Sequence, residues 1–212
     1  MGYLQWLTSF IIDGGIFMYV ILAVWAAAIA IAAERFSKLS YNYDVDGASF
    51  MNELQRYILS NDIQGAIRVC SGSNAALPKV LKSGLKRANQ NPEQVQNAID
   101  ATALEMIPKV EIRLNYLSLA ANLTTLLGLL GTIQGLILAF GAVGAADPAQ
   151  KAEVLAKGMS IALNTTAMGI FCAITIMIIH AFLNAKADKI IGEIDEFSVK
   201  MIDLLGTKKI ED

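Results

Sequence analysis

The sequence predicts an all-α membrane protein with three transmembrane helices, the N-terminus outside and the C-terminus in the cytoplasm. Three observations lead there. No Asp, Glu, Lys or Arg occurs from Gly14 to Ala33, from Leu114 to Ala146 or from Gly158 to Ala185. Each window supplies the roughly 20 apolar residues that a bilayer crossing needs. The whole chain is 55% hydrophobic and 17% charged over 212 residues, with a mean hydropathy of +0.49. A soluble domain carries about 25% charge, and its buried core helices would not need three charge-free windows in so short a chain. Finally, basic residues flank alternate ends of the windows. Arg35 and Lys38 follow the first, Lys109 and Arg113 precede the second, and Lys186 and Lys189 follow the third. The opposite side holds Lys151 and Lys157 between the last two windows and no basic residue before the first. Cytoplasmic loops are enriched in Lys and Arg, which sets the N-out, C-in orientation.

Taken in order, residues 1–15 are a short periplasmic N-terminus and 16–33 the first span. The small residues of "AAAIAIAA" would suit a cleavage site. However, residues 1–15 lack the basic region of a signal peptide, and the apolar stretch is longer than a signal's. A retained helix is predicted.

Residues 34–113 form a cytoplasmic helical region. "DGASFMNELQRYILS" puts Phe50, Leu54, Tyr57 and Ile58 on one face, and "NDIQGAIRVC" repeats this with Ile63, Ala66, Ile67 and Cys70. Asn61 or Asp62 is a natural cap between them. "LPKVLKSGLKRA" offers Leu77, Val80, Leu81 and Leu85. Asn91 caps a further helix, with Pro92 at its first position and Glu93 in its first turn. From Pro92 the pattern predicts one continuous helix to about Gly144, kinked at Pro108.

The second span is 114–143. "ADPAQ" within the periplasmic loop 144–158 marks a turn before a short outer helix. The third span is 159–182, and 183–212 is a cytoplasmic C-terminal helix with Ile190, Ile194, Phe197, Met201 and Leu204 on its apolar stripe.

Several function classes lack support. No basic patch suits nucleic acid. Cys70 and Cys172 fall in different compartments and read as free thiols. His180 is the single histidine, it has no second metal ligand nearby, and an interfacial or packing role suits it better than a proton relay. No HExxH, GxSxG or intramembrane Asp pair suggests an enzyme, so no catalytic residue is assigned. Inverted repeats or broken helices, as in secondary transporters, are not seen.

The spans do carry polar stripes. Asn115, Ser118, Asn122, Thr125 and Thr132 recur at helical spacing along one face of the second span. Such a stripe faces another helix or a water-accessible cavity rather than lipid. Gly128, Gly131 and Gly135 form a small-residue face beside it that admits a neighbouring backbone. The third span offers Ser160, Asn164, Thr165, Thr166, Cys172 and Thr175, with Gly169 near Thr166. Helix packing and pore lining are both open on these residues alone. Proton carriage usually needs an ionisable group, and none lies at membrane depth. If protons move here, a second protein supplies the acid. A non-conducting scaffold is the principal alternative.

"ERFSKL" after the first span, "RLNYLSLAANLTTLLGLLGTIQGLILAF" across the second and "GMSIALNTTAMGIFCAITIMIIHAFLN" across the third together resemble the MotA/TolQ/ExbB proton-channel family, and with three spans the ExbB/TolQ branch. That resemblance implies an inner-membrane motor subunit, a homopentamer around two single-span partners of the ExbD/TolR/MotB type. A partner aspartate would carry the proton, and the proton motive force would drive outer-membrane transport, envelope integrity or motility. Family threonines map onto Thr132 and Thr166, implying that these line the ion path, with Thr165, Thr125 and Asn122 beside them. Gly128, Gly131, Gly135 and Gly169 are assigned to helix packing, the first three between neighbouring second spans. Three positions depart from the pattern. Thr125 stands where a proline is usual, Ile161 where a glutamate is, and Thr175 where a second proline is. The extra hydroxyls at Thr125 and Thr165 leave sodium as an alternative ion. No cofactor or metal is implied.

Overall fold

The computed structural model describes residues 8, 10–12, 14–145 and 147–211, with the side chains of 42 and 207–211 left undescribed. Helix dominates. α1 is Gly15–Ser37, followed by a π-helical turn at Lys38–Tyr43. α2 (Gly47–Leu59), α3 (Ile63–Ser71), α4 (Ala76–Leu85) and α5 (Pro92–Glu111) follow, then α6 (Leu114–Ala145) and α7 (Lys151–Glu211). Three helical stretches among the described residues are long and apolar enough to cross a membrane. They begin at Gly15, Pro92 and Lys151. The chain divides into two compact units. A membrane unit holds the described residues up to Ala33 and Arg113–Ala181, and a helical unit holds Glu34–Ile112 and the chain from Phe182 on.

In the helical unit, the apolar stripes read from the sequence form the core. Phe50, Met51, Leu54 and Ile58 of α2 are buried, as are Ala66 and Cys70 of α3, Leu77, Val80, Leu81 and Leu85 of α4, and Val95 and Ile99 of α5. Ile190, Ile194, Phe197 and Met201 of α7 complete it. Tyr57 is only half-buried, and Met51 takes the inward place beside it. α4 packs against both α3 and α5. Gly84 leaves room for α5 and α7 against α4, because a Cβ there would meet Ile99 Cδ1 at 2.8 Å and Met201 Cε at 2.6 Å. Asp62 caps α3, its carboxylate accepting from the Gly65 N–H at 2.7 Å. Asn61 turns the chain just before it with a φ of 62°, which Asn tolerates better than most residues. Asn91 starts α5 by backbone geometry alone, with Pro92 directly inside. Lys186 ties the π-helical turn to α7, reaching Asp44 Oδ2 at 3.2 Å and donating to Ser40 Oγ at 3.0 Å.

Two helix boundaries differ from expectation. The helix from Pro92 does not run through to Gly144. It stops at Glu111 and restarts at Leu114, with Arg113 at a φ of 66°. Pro108 has no N–H to donate one turn back. Just beyond it, buried Arg35 donates from Nη2 to the carbonyls of Val110 at 2.6 Å and Lys109 at 3.2 Å. In an unbroken helix those carbonyls would accept from the N–H groups of residues 113 and 114. The guanidinium satisfies them instead, as a charged C-terminal cap. The second difference lies after "ADPAQ". Asp147 accepts from the Gln150 N–H at 2.9 Å, and no separate outer helix follows. One 61-residue helix begins at Lys151 and contains the third span.

Candidate functional site

The membrane unit is held together by small residues and hydroxyls. α6 and α7 run antiparallel in close contact. A Cβ on Gly169 would lie 2.7 Å from the Thr124 carbonyl oxygen and 2.9 Å from Gly128 Cα. One on Gly135 would lie 2.8 Å from Ala162 Cβ, and one on Gly131 would collide with the Thr165 side chain. All four glycines therefore lie at the contact between α6 and α7. Gly128, Gly131 and Gly135 close on α7 of the same chain, where the sequence assigned them to neighbouring second spans. Without a hydrophobic driving force in lipid, close backbone approach is how such helices adhere.

Thr132 and Thr166 face each other across this seam, and their hydroxyl oxygens are in direct contact, with either able to donate. Thr166 Oγ1 also lies 3.0 Å from the Gly128 carbonyl and Thr132 Oγ1 3.2 Å from it. Both hydroxyls lie 3.4 Å from the Ala162 carbonyl. Two hydroxyls and two helix carbonyls thus form one four-oxygen cluster, half-buried at the edge of the seam. Chemically it can relay a hydrogen bond or offer oxygen ligands to a hard cation.

The other sequence-selected residues fall into two groups. Thr165 is 1% exposed, lies inside the chain and bonds the Gly14 carbonyl at 2.9 Å and the Ile161 carbonyl at 2.8 Å. It thereby links the start of α1 to α7 and does not join the outward stripe. Asn122 and Thr125 are exposed on α6, as are Asn115 and Ser118. Thr125 returns its hydroxyl to the Ala121 carbonyl at 3.2 Å. Asn115, Ser118 and Asn122 make no side-chain hydrogen bond among the described residues. Together they form an open polar stripe that runs along α6 towards Thr132, next to the buried Leu117, Ala121, Gly128 row. Thr175 bonds the Phe171 carbonyl at 2.8 Å, which is self-satisfaction within one helix.

One residue of the seam was missed. Thr124 is fully buried and donates to the Ala121 carbonyl at 2.8 Å. Its signal was available, since Thr124, Gly128, Gly131 and Gly135 follow one another by four, three and four residues, which is one helix face. Among the described residues no group of His, Cys, Asp or Glu could hold a metal ion.

Comparison with known proteins agrees with this architecture. Residues 73–196 match the model of the MotA/TolQ/ExbB proton channel family. The chain is 25% identical to a putative biopolymer transport protein ExbB homolog of Methanothermobacter thermautotrophicus, over 86% of this chain and 64% of that protein. It is 27% identical to the putative biopolymer transport protein ExbB-like 1 of Synechocystis, over 81% of this chain and 68% of the relative. It is also 27% identical to the Tol-Pal system protein TolQ of Pseudomonas aeruginosa, over 65% and 66% respectively. The chain thus spans about two-thirds of the length of these relatives. With three apolar helices long enough to cross, it is a multi-pass protein of the inner membrane. Both the family match and these relatives place the chain in the MotA/TolQ/ExbB proton channel family, on its ExbB/TolQ branch.

Proposed function

We propose that the chain is the ring-forming subunit of an energy-transducing ion channel, oriented N-out and C-in. Five copies would surround a dimer of a single-span ExbD/TolR/MotB-like partner. One observation carries this reading: an exposed, unpartnered polar stripe on α6 leads to the Thr132–Thr166 pair, while the spans contain no acid. Unpaired amides and hydroxyls are expensive against acyl chains, so the stripe faces water or another chain. A stripe that can hydrate but not titrate needs a carboxylate from elsewhere, and a partner aspartate supplies it. Each proton crossing 100 mV then releases about 2.3 kcal/mol. That is enough to bias a packed two-state interface and so to perform work in the envelope, whether transport, maintenance or motility.

The four-oxygen cluster supports sodium as a second reading, because hard cations take oxygen ligands. Flux through the assembled complex in liposomes, under an imposed potential, tests both. Thr132→Val and Thr166→Val should each assemble normally and lower partner-dependent flux about tenfold or more, the cost of one lost buried hydrogen bond. Thr132→Ser should retain it. Acidification without sodium identifies protons, and a sodium requirement identifies sodium. Wild-type flux from both valine variants in intact complexes would remove the assignment and leave a scaffold.

A further inference from the structure

Gln134 is a glutamine in the middle of an apolar, exposed face. It lies on α6 among Leu123, Leu130, Ile137 and Leu138, which are 41–66% exposed. It is itself exposed and makes no hydrogen bond among the described residues. This face is distinct from the polar stripe. Gln134 stands one residue from buried Gly135 and about 160° around the helix from Thr132. A carboxamide left bare in hydrocarbon is costly, so the position implies a partner.

α7 has a matching problem. Asn164 is half-buried, stands next to Thr165 but points away from the α6 seam, and makes no hydrogen bond among the described residues. On that side the exposed Phe171 lies two turns inward, with exposed Ser160 one turn outward.

The two amides sit at one depth. In the antiparallel register Gly135 abuts Ala162 and Gly131 abuts Thr165. Gln134 is therefore level with Leu163, one residue from Asn164, or about 1.5 Å along the axis. Within one chain they cannot meet, since both point away from the shared seam. In a second copy related by an axis along the membrane normal, every residue keeps its depth.

We infer that Gln134 of one copy hydrogen-bonds Asn164 of the next, with Ser160 beside it, so that the exposed faces of α6 and α7 form the contact between copies. The occupant of each face is another copy of this chain, because each face carries the complement that the other lacks. Such a head-to-tail contact closes into a ring. The inference rests on the oligomeric part of the proposed function and not on conduction.

Two differently tagged single variants, Gln134→Cys and Asn164→Cys, would be co-expressed in membranes and treated with a short bis-maleimide. Buried Cys70 and Cys172 stay in place, and the wild-type chain gives the background. A covalent dimer carrying both tags is expected. Tyr116→Cys paired with Asn164→Cys should give none. Tyr116 is also exposed on α6 but lies about 27 Å away along the helix. Separately, Gln134→Leu should shift the oligomer equilibrium toward free chains by roughly 3- to 20-fold per contact, the range for one interhelical hydrogen bond. Gln134→Asn should restore part of that loss. Native mass measurement separates the failures. Intact oligomers with no mixed-tag dimer would overturn the Gln134–Asn164 contact while leaving the ring standing. A protein that is monomeric throughout would overturn both.

Discussion

The two units of this chain solve the same problem, holding helices together, with opposite materials. In the helical unit the contacts are large side chains. Leu54, Ile58, Leu77, Leu81 and Ile194 are all essentially inaccessible, and water drives them together. In the membrane unit the seam is built from Gly128, Gly131, Gly135, Ala162 and Gly169, while Leu126, Leu130, Ile137 and Phe140 point outward at 46–66% exposure. Lipid, or the apolar face of a neighbouring copy, offers those side chains surroundings as apolar as a protein core, so burying them within the chain gains little. Backbone proximity and hydroxyl-to-carbonyl bonds provide the adhesion instead. The same residue type therefore means different things in the two units. A leucine is structural in one and outward-facing in the other, while glycines that relieve a side chain in the one, as Gly84 does, bring helix backbones together in the other.

Substitutions can test that contrast, beginning with the most severe. Gly169→Val should abolish the α6–α7 seam, because its Cβ would stand 2.7 Å from the backbone oxygen of Thr124. A backbone atom cannot swing aside, so the loss should be about 3 kcal/mol or more, at or above the top of the usual overpacking range. Reversible unfolding in bicelles would measure it, and near-wild-type stability would refute the glycine account. Leu81→Ala, in the core of the helical unit, should cost about 2–5 kcal/mol, whereas Ile16→Ala on the exposed side of α1 should stay within about 0.5 kcal/mol. Equal losses at the two positions would erase the distinction between the units.

The mildest effect concerns pH. Burial pushes the Cys70 thiol up to about 11 from an ordinary value near 9. The fold favours the protonated thiol, while the unfolded chain ionises first. The contribution of Cys70 to stability should therefore be complete below about pH 9 and fade as pH rises towards 11. Cys70→Ala should flatten that part of a pH–stability curve, and native Cys70 should resist iodoacetamide at pH 8 until the unit unfolds.

Much of the architecture was legible because periodicity is local. The charge-free windows marked the spans, and the apolar stripes of α2 to α4 and α7 became the core because the 3.6-residue repeat places them on one side. The polar row from Asn115 to Thr132 was readable for the same reason, and the family resemblance singled out Thr132 and Thr166, though not their contact with each other. What a local pattern could not convey was partnership. Nothing near Gly131 says that its neighbour is Thr165 and not another Gly131. Ile112 and Arg113 contain no helix breaker. The carbonyls at the break are taken up by Arg35, a residue 75 positions away from Val110 in sequence. Thr165 was placed beside Thr166 on the ion path, yet a turn of 100° carries it from the cluster into the chain's interior.

The contact between the Thr132 and Thr166 oxygens has one more implication. Either oxygen can donate to the other, and both have helix carbonyls at hand. The pair can therefore reverse its polarity by spinning two hydroxyl rotors, with no helix moving and no oxygen left bare. On the proposed ion path, such a pair would answer a passing positive charge by turning its hydroxyls alone.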